Sequence, residues 1–166
     1  MLNLKRVSLK LKPYDFEVKP VKVSGKEVLP IIEGGKGVSI STGETSGAFA
    51  AAGAVGTVSV VNPNVFQKCD VFGKEFLKKT RKERNEEFIK LSIEGAIEQI
   101  KIAYEKSCGK GRIHINALWE MASVEKVLEG VMEKVKGLVH GITCGAGLPY
   151  KLGEIATKYQ SFYFLN

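Results

Sequence analysis

Apolar and polar residues alternate from Val7 to Ile32, first in VSLKL, then in FEVKPVKV and, after a Ser24-Gly25 turn, in EVLPII. Period two sends successive side chains to opposite faces of an extended strand, so this region predicts β-hairpin strands. The pattern then changes. Residues 42 to 53, TGETSGAFAAAG, are small and helix-compatible, with Thr42 placed as an N-cap and Gly53 as a stop. A strand, AVGTVSVV, follows at once. Beyond a turn-rich stretch at 62 to 74, Ile89, Ile93, Ala96, Ile97, Ile100, Ala103 and Tyr104 recur at spacings of three and four, which predicts a long helix that Gly109 and Gly111 end. RIHINAL (112 to 118) reads as the next strand. Ser123 stands where a cap belongs, and Val124, Val127, Leu128, Val131 and Val135 form a second helical stripe closed by Gly137. LVHGITC (138 to 144) is then a strand, Leu152, Ile155 and Ala156 mark a short helix, and SFYFLN starts one more strand.

Strand, helix, strand, helix at this interval predicts parallel βαβ units, an α/β fold in which the helical stripes cover the sheet. One domain is expected over residues 1–166, with a hairpin region at 1–28 and βα units over 29–166. In parallel sheets and barrels, ligands sit at the C-terminal ends of the strands. Those ends here are GGKG, VVNPN, INALW and TCGAGLP, and three of the four are rich in Gly, Asn or Pro.

Composition narrows the setting. The net charge of +7 is concentrated in LKRVSLKLK and KKTRKER, neither interleaved with aromatic residues, so solvated faces are favoured over a nucleic-acid surface. Cys69, Cys108 and Cys144 are odd in number and show no C-x-x-C spacing, which argues against a disulfide framework and a zinc site and suits a reducing cytoplasm. No run approaches the ~18 apolar residues of a membrane span, and the N-terminus lacks an apolar signal core.

Two nucleotide-binding templates fail in PIIEGGKGVSIS. The dinucleotide pattern G-x-G-x-x-G/A has Ile40 at its last position, and the following strand ends in Asn62, Pro63 and Asn64 without a carboxylate for a ribose. The phosphate-loop pattern fails because Gly37, and no hydroxyl residue, follows Lys36.

Taken in order, PIIEGGKGVSIS, GAVGTVSVV, RIHINAL and GITCGAGLP resemble the nitronate monooxygenases, formerly 2-nitropropane dioxygenases, over roughly residues 20 to 165. The resemblance implies the N-terminal portion, about four to five strands, of an FMN-type TIM (β/α)8 barrel preceded by a β-hairpin. It implies oxidation of an alkyl nitronate by O2 to a carbonyl compound and nitrite, with FMN as cofactor. Gly34, Gly35, Lys36 and Gly37 are then the loop against the flavin ring, Asn116 its hydrogen-bonding partner, and Cys144, Gly145, Ala146 and Gly147 the substrate-side loop. Strand alternation agrees for Asn116, which shares a face with His114 while Ile113 and Ile115 share the other.

Two departures from the family stand out. Lys36 replaces its usual Met, and a full barrel takes about 250 residues, so the family's phosphate-binding segments and catalytic histidine are not matched here. Neither His114 nor His140 carries that role; both read as packing residues, and the catalytic group is left unassigned. Cys144 has no visible base beside it. Trp119 and Met121 either line a pocket or cover the barrel mouth. A flavin enoyl reductase is the same-class alternative. A non-catalytic half-barrel, working as a homodimer or with a complementing C-terminal half, is the other.

Overall fold

The computed structural model describes residues 18–66 and 74–160. VSLKL, Cys69 and SFYFLN lie outside the described residues. The hairpin is present as β1 (Val21–Val23) antiparallel to β2 (Lys26–Val28), turning at Ser24 and Gly25, both with positive φ. Glycine at the second turn position takes a left-handed φ without a Cβ penalty. Arg112 ties the hairpin down, its Nε donating to the Val23 carbonyl at 3.2 Å and a terminal nitrogen to the Ser24 carbonyl at 2.6 Å.

Helix α1 (Gly43–Ala51) begins as its sequence predicts, with Thr42 and Thr45 forming a reciprocal capping box, and Gly53 follows it with φ at +86°. Then come β3 (Val55–Ser59), a 3-10 turn at Pro63–Phe66, α2 (Lys74–Lys78) and α3 (Arg81–Ser107). Helix α3 starts eight residues before Ile89, the first residue of its apolar stripe, because Thr80 and Glu83 make a second capping box. It ends on Cys108, which itself adopts the left-handed conformation, one residue before Gly109. Strand β4 (Arg112–Leu118), helix α4 (Val124–Lys134), strand β5 (Gly141–Gly145) and helix α5 (Leu152–Gln160) complete the order.

Two expectations need correcting. Ser123 precedes α4 but sits at φ +63° with no capping hydrogen bond from its side chain; its hydroxyl lies 3.4 Å from the Asn85 amide nitrogen instead. Strand β5 begins at Gly141 and not at Leu138, because Gly137 and Leu138 are still turning out of α4: Gly137 has φ +79° and the Leu138 N–H returns to Val135, and the first main-chain bond to β4 is from His140 to Ile113.

The parallel sheet runs β3-β4-β5, and a parallel bridge between Ile32 and Val55 sets the preceding segment beside β3. Spatial order therefore follows chain order. Val58, Val60, Ile113, Ile115 and Ala117 face the helices and meet Ala96 and Ile100 of α3 and Val127, Leu128 and Val131 of α4, all buried. Each fully buried branched side chain of this kind contributes about 1.5–3 kcal/mol. Helix α1 also closes on α3, and a Cβ at Gly43 would lie 2.3 Å from the Gln99 carbonyl oxygen. The fold is thus mixed α/β, a helix-covered parallel sheet with a small antiparallel hairpin. Among the described residues no helix is long and apolar enough to cross a membrane.

Candidate functional site

Parallel strands in chain order carry their outgoing loops to one edge, so residues 33–37, 60–66, 116–119 and 144–149 all emerge at the C-terminal end of the sheet. Contacts join these loops. The Trp119 N–H donates to the Gly145 carbonyl at 3.0 Å, and a Cβ at Gly147 would stand 3.0 Å from Glu120 Cγ. Gly35 rests directly on Asn116, since an added Cβ there would fall 2.2 Å from Asn116 Cβ. The missing side chain in GGKG therefore makes room for Asn116.

Face assignment follows from register. Thr57 pairs with His114 and His114 with Gly141, and one level up Ser59 pairs with Asn116 and Asn116 with Thr143. Residues level with one another in a parallel sheet point the same way, so these six share the face opposite the helical core. That face is polar. Thr57 and Ser59 are fully buried, and Asn116 is 7% exposed with no side-chain hydrogen bond to another described residue. As expected, Asn116 turns away from the helices while Ile113 and Ile115 face them.

Glu33 is the residue that the sequence did not single out. The segment pairs with β3 through Val55 N–H to the Ile31 carbonyl (3.0 Å) and Glu33 N–H to the Val55 carbonyl (2.8 Å), and then leaves the sheet at the glycines. The next ladder donor, Thr57 N–H, is taken by Glu33 Oε2 at 3.0 Å, so a carboxylate stands where main chain would have continued. Its side chain is 2% exposed, yet Oε1 has no hydrogen-bond partner, and Lys36 Nζ lies 3.7 Å away. Thr57 Oγ1 and His114 Nε2 are also buried without partners. The readable signal was one carboxylate ending the apolar run PII, together with Thr57 and Ser59 alternating with valines in β3.

Lys36 is exposed at the loop tip, its Nζ 3.4 Å from the Gly34 carbonyl and its main-chain N–H donating to Ser41 Oγ at 3.0 Å. A Cβ at Gly34 would meet nothing within 4 Å, and one at Gly37 only Val61. Ala146 and Gly147 turn with φ of +49° and +86° beside Gly145 at the same edge.

The Cys144 thiol needs separating from its loop. Its register partner is Ala117, and it packs against the helix-side core, turned away from the polar face; burial pushes the thiol above its ordinary range. Cys144 meets the edge through its main chain and through its thiol, which lies 3.7 Å from the Gly145 carbonyl, but not through the polar face. Trp119 and Met121 also pack on that core, and Trp119 meets Tyr150 edge-on at 6.1 Å.

Both histidines pack structurally. His114 lies against Gly141, where a Cβ would stand 2.5 Å from Nε2, and burial lowers its pKa. His140 Nδ1 accepts from the Ile113 N–H at 3.2 Å at the opposite end of the sheet, and its pKa falls to about 4, chiefly through burial and then through the nearby Arg112 charge. Among the described residues no group of three or more His, Cys, Asp or Glu side chains is arranged to hold a metal. Comparison with family models, curated proteins and solved structures gives no match.

Proposed function

We propose that this chain carries the flavin-facing strands of a TIM-barrel oxidoreductase of the nitronate monooxygenase type, oxidising an alkyl nitronate with O2 to a carbonyl compound and nitrite. The observation that carries this reading is the strand order. Ile32, β3, β4 and β5 lie side by side in chain order, as in a barrel that winds in one direction, whereas a doubly wound sheet reverses its order at a switch point. Proximity adds support, because the glycine loop and Asn116, assigned separately to one flavin site, touch.

The residues suit a flat ring with polar edges. Gly34 and Gly37 leave open space, Asn116 lies against Gly35 between them, and the nearby chain holds an unpartnered oxygen, Glu33 Oε1. FMN, when bound, supplies the electron-accepting and oxygen chemistry. The chain's own tasks are then distinct: the main chain at Gly34 to Gly37 supports the ring, Asn116 orients it, Lys36 gives a cation for an anionic nitronate or phosphate, and residues 145–147 border the substrate. The cytoplasm is the proposed location.

The test is to purify the 166-residue chain, measure flavin uptake by absorbance and then nitrite released from a nitronate under O2. Flavin uptake with nitrite release supports the proposal. Consumption of an enoyl thioester together with a nicotinamide donor, without nitrite, would replace it by the enoyl reductase reading. Turnover only from a dimer, or only with a second chain, would assign the site to paired half-barrels.

A further inference from the structure

Few contacts hold the hairpin to the rest of the fold, and they lie at the N-terminal end of the sheet, opposite the glycine loop. Of the residues in β1 and β2 only Val28 is buried, and the two strands pair with each other alone. The main chain first joins the sheet at Leu29, whose N–H donates to the Gly53 carbonyl at 2.8 Å. Three side chains add polar ties. Arg112 of β4 donates to the Val23 and Ser24 carbonyls, the Ser24 hydroxyl donates to the His140 carbonyl at 2.6 Å, and the Lys26 ammonium reaches the Gly109 carbonyl. An element with so little buried apolar surface opens at a lower free energy than the core.

Each of those ties is coupled to His140. Its carbonyl accepts from Ser24, while its ring nitrogen Nδ1 accepts the Ile113 N–H at 3.2 Å. A proton on Nδ1 sets donor against donor, so the charged ring has to leave Ile113, and the carbonyl that holds Ser24 belongs to the same residue. The other two ties are made by cations. Burial disfavours the imidazolium most, then the Arg112 charge on β4, with His114 of β4 and Lys26 of β2 adding to them; the charges that bear on the ring are all basic, and only the Ile113 main chain acts the other way. Undocking the hairpin carries Lys26 away from the ring, frees Arg112 from the two carbonyls that hold it, and admits water. Each of these changes favours the charged ring.

We infer that the hairpin of β1 and β2 is an acid-released latch, docked while the His140 ring is neutral and undocking when that ring takes up a proton. Linkage sets the direction. A group whose pKa is lowered in the docked state binds its proton more readily once undocked, so undocking is indifferent to pH above 6.5 and is favoured as pH falls from 6.5 toward about 4. The latch opens with the sheet still folded, and it holds whether or not a ligand occupies the other end of the strands.

The test is amide hydrogen exchange of the full chain at pH 7, 6 and 5, expressed as protection factors so that the chemical pH dependence of exchange is removed. The hairpin amides and Leu29 are expected to be less protected than Val58 and Ile115 at every pH. From pH 7 to pH 5 they should lose about tenfold in protection, part of what a pKa of 6.5 against about 4 allows. His140→Asn keeps an acceptor for the Ile113 N–H and cannot titrate, so its hairpin should hold the same protection throughout; thermal unfolding checks that the variant is folded. Hairpin protection that stays level in the wild-type chain while that of Val58 and Ile115 falls would overturn the latch, since opening would then leave the ring as buried as before. Identical protection of hairpin and core at every pH would also overturn it, because the hairpin would open only with the whole chain. Both of those outcomes are read without any substitution. A hairpin that loosens as much in His140→Asn as in the wild type would overturn the assignment to His140.

Discussion

Gly35 shows how a single missing side chain can be structural and site-forming together. Its backbone conformation is open to any residue; what excludes a side chain is Asn116, whose Cβ would lie 2.2 Å and Cγ 2.4 Å from the new methyl group. Asn116 belongs to β4, in register with Ser59 and Thr143, and the strand cannot retreat without breaking the ladder. Gly35→Ala must therefore push the glycine loop outward, because turning the Asn116 side chain moves Cγ but leaves Cβ in place. Overpacking of this sort costs about 1–3 kcal/mol. Urea unfolding of the variant should show that loss with an unchanged denaturant slope, and the paired substitution Gly35→Ala with Asn116→Ala should recover part of it. A Gly35→Ala chain as stable as the wild type would mean that the loop and Asn116 do not touch.

At the scale of elements, the hairpin, the first capped helix and the strands around Val58 and Ile115 were legible because local and tertiary preferences agree there. Period two separated Ile113 and Ile115 from His114 and Asn116, and the helical core confirms the division. Legibility failed where one residue's conformation or a distant partner decides. Ser123 has the right side chain for a cap, but its left-handed φ aims the hydroxyl elsewhere. Thr80 and Glu83 carried a readable capping signal inside a run that reads first as charge. Glu33 did not stand out because nothing local shows that Thr57, in another strand, lacks a main-chain acceptor. The attachment of the hairpin is likewise non-local, resting on Arg112 through Val23 and Ser24, with the Ser24 hydroxyl donating to the His140 carbonyl at 2.6 Å and Lys26 to the Gly109 carbonyl. Arg112→Ala removes two of these ties, worth together about 1–3 kcal/mol. Amide hydrogen exchange should then quicken across residues 21 to 28 and stay slow in Val58 and Ile115. Equal protection of the hairpin in both proteins would show that Arg112 does not anchor it.

For the molecule as a whole, acid stability is set at the end of the sheet away from the glycine loop. His140 must be neutral there: its Nδ1 accepts the Ile113 N–H, and protonation would turn that acceptor into a donor facing a donor. Burial and then the Arg112 charge oppose the imidazolium most, His114 and Lys26 add to them, the Ile113 main chain acts the other way, and the pKa drops from 6.5 to about 4. The unfolded chain therefore binds a proton near pH 6.5 that the folded chain refuses until about 4. Where the unfolded state binds more protons, stability rises with pH, so it is full above 6.5 and is lost as pH falls from 6.5 toward 4. A shift of this size would be worth about 3 kcal/mol for a fully buried ring, and partial solvent exposure of His140 reduces that to about 1–2 kcal/mol. His114, also lowered by burial, acts in the same direction, while the capping Glu83, held below its usual 4.5 by the Thr80 main-chain and side-chain hydrogen bonds, acts at more acid pH. Urea unfolding at pH 7.5, 6 and 5 reads the histidines largely apart from the carboxylates. The wild-type chain should lose stability steadily across that series. His140→Asn, whose amide oxygen can accept the same N–H without titrating, should lose clearly less, and Arg112→Ala should also flatten the slope by removing a repelling charge. Equal slopes for wild type and His140→Asn would remove His140 as the source of acid lability.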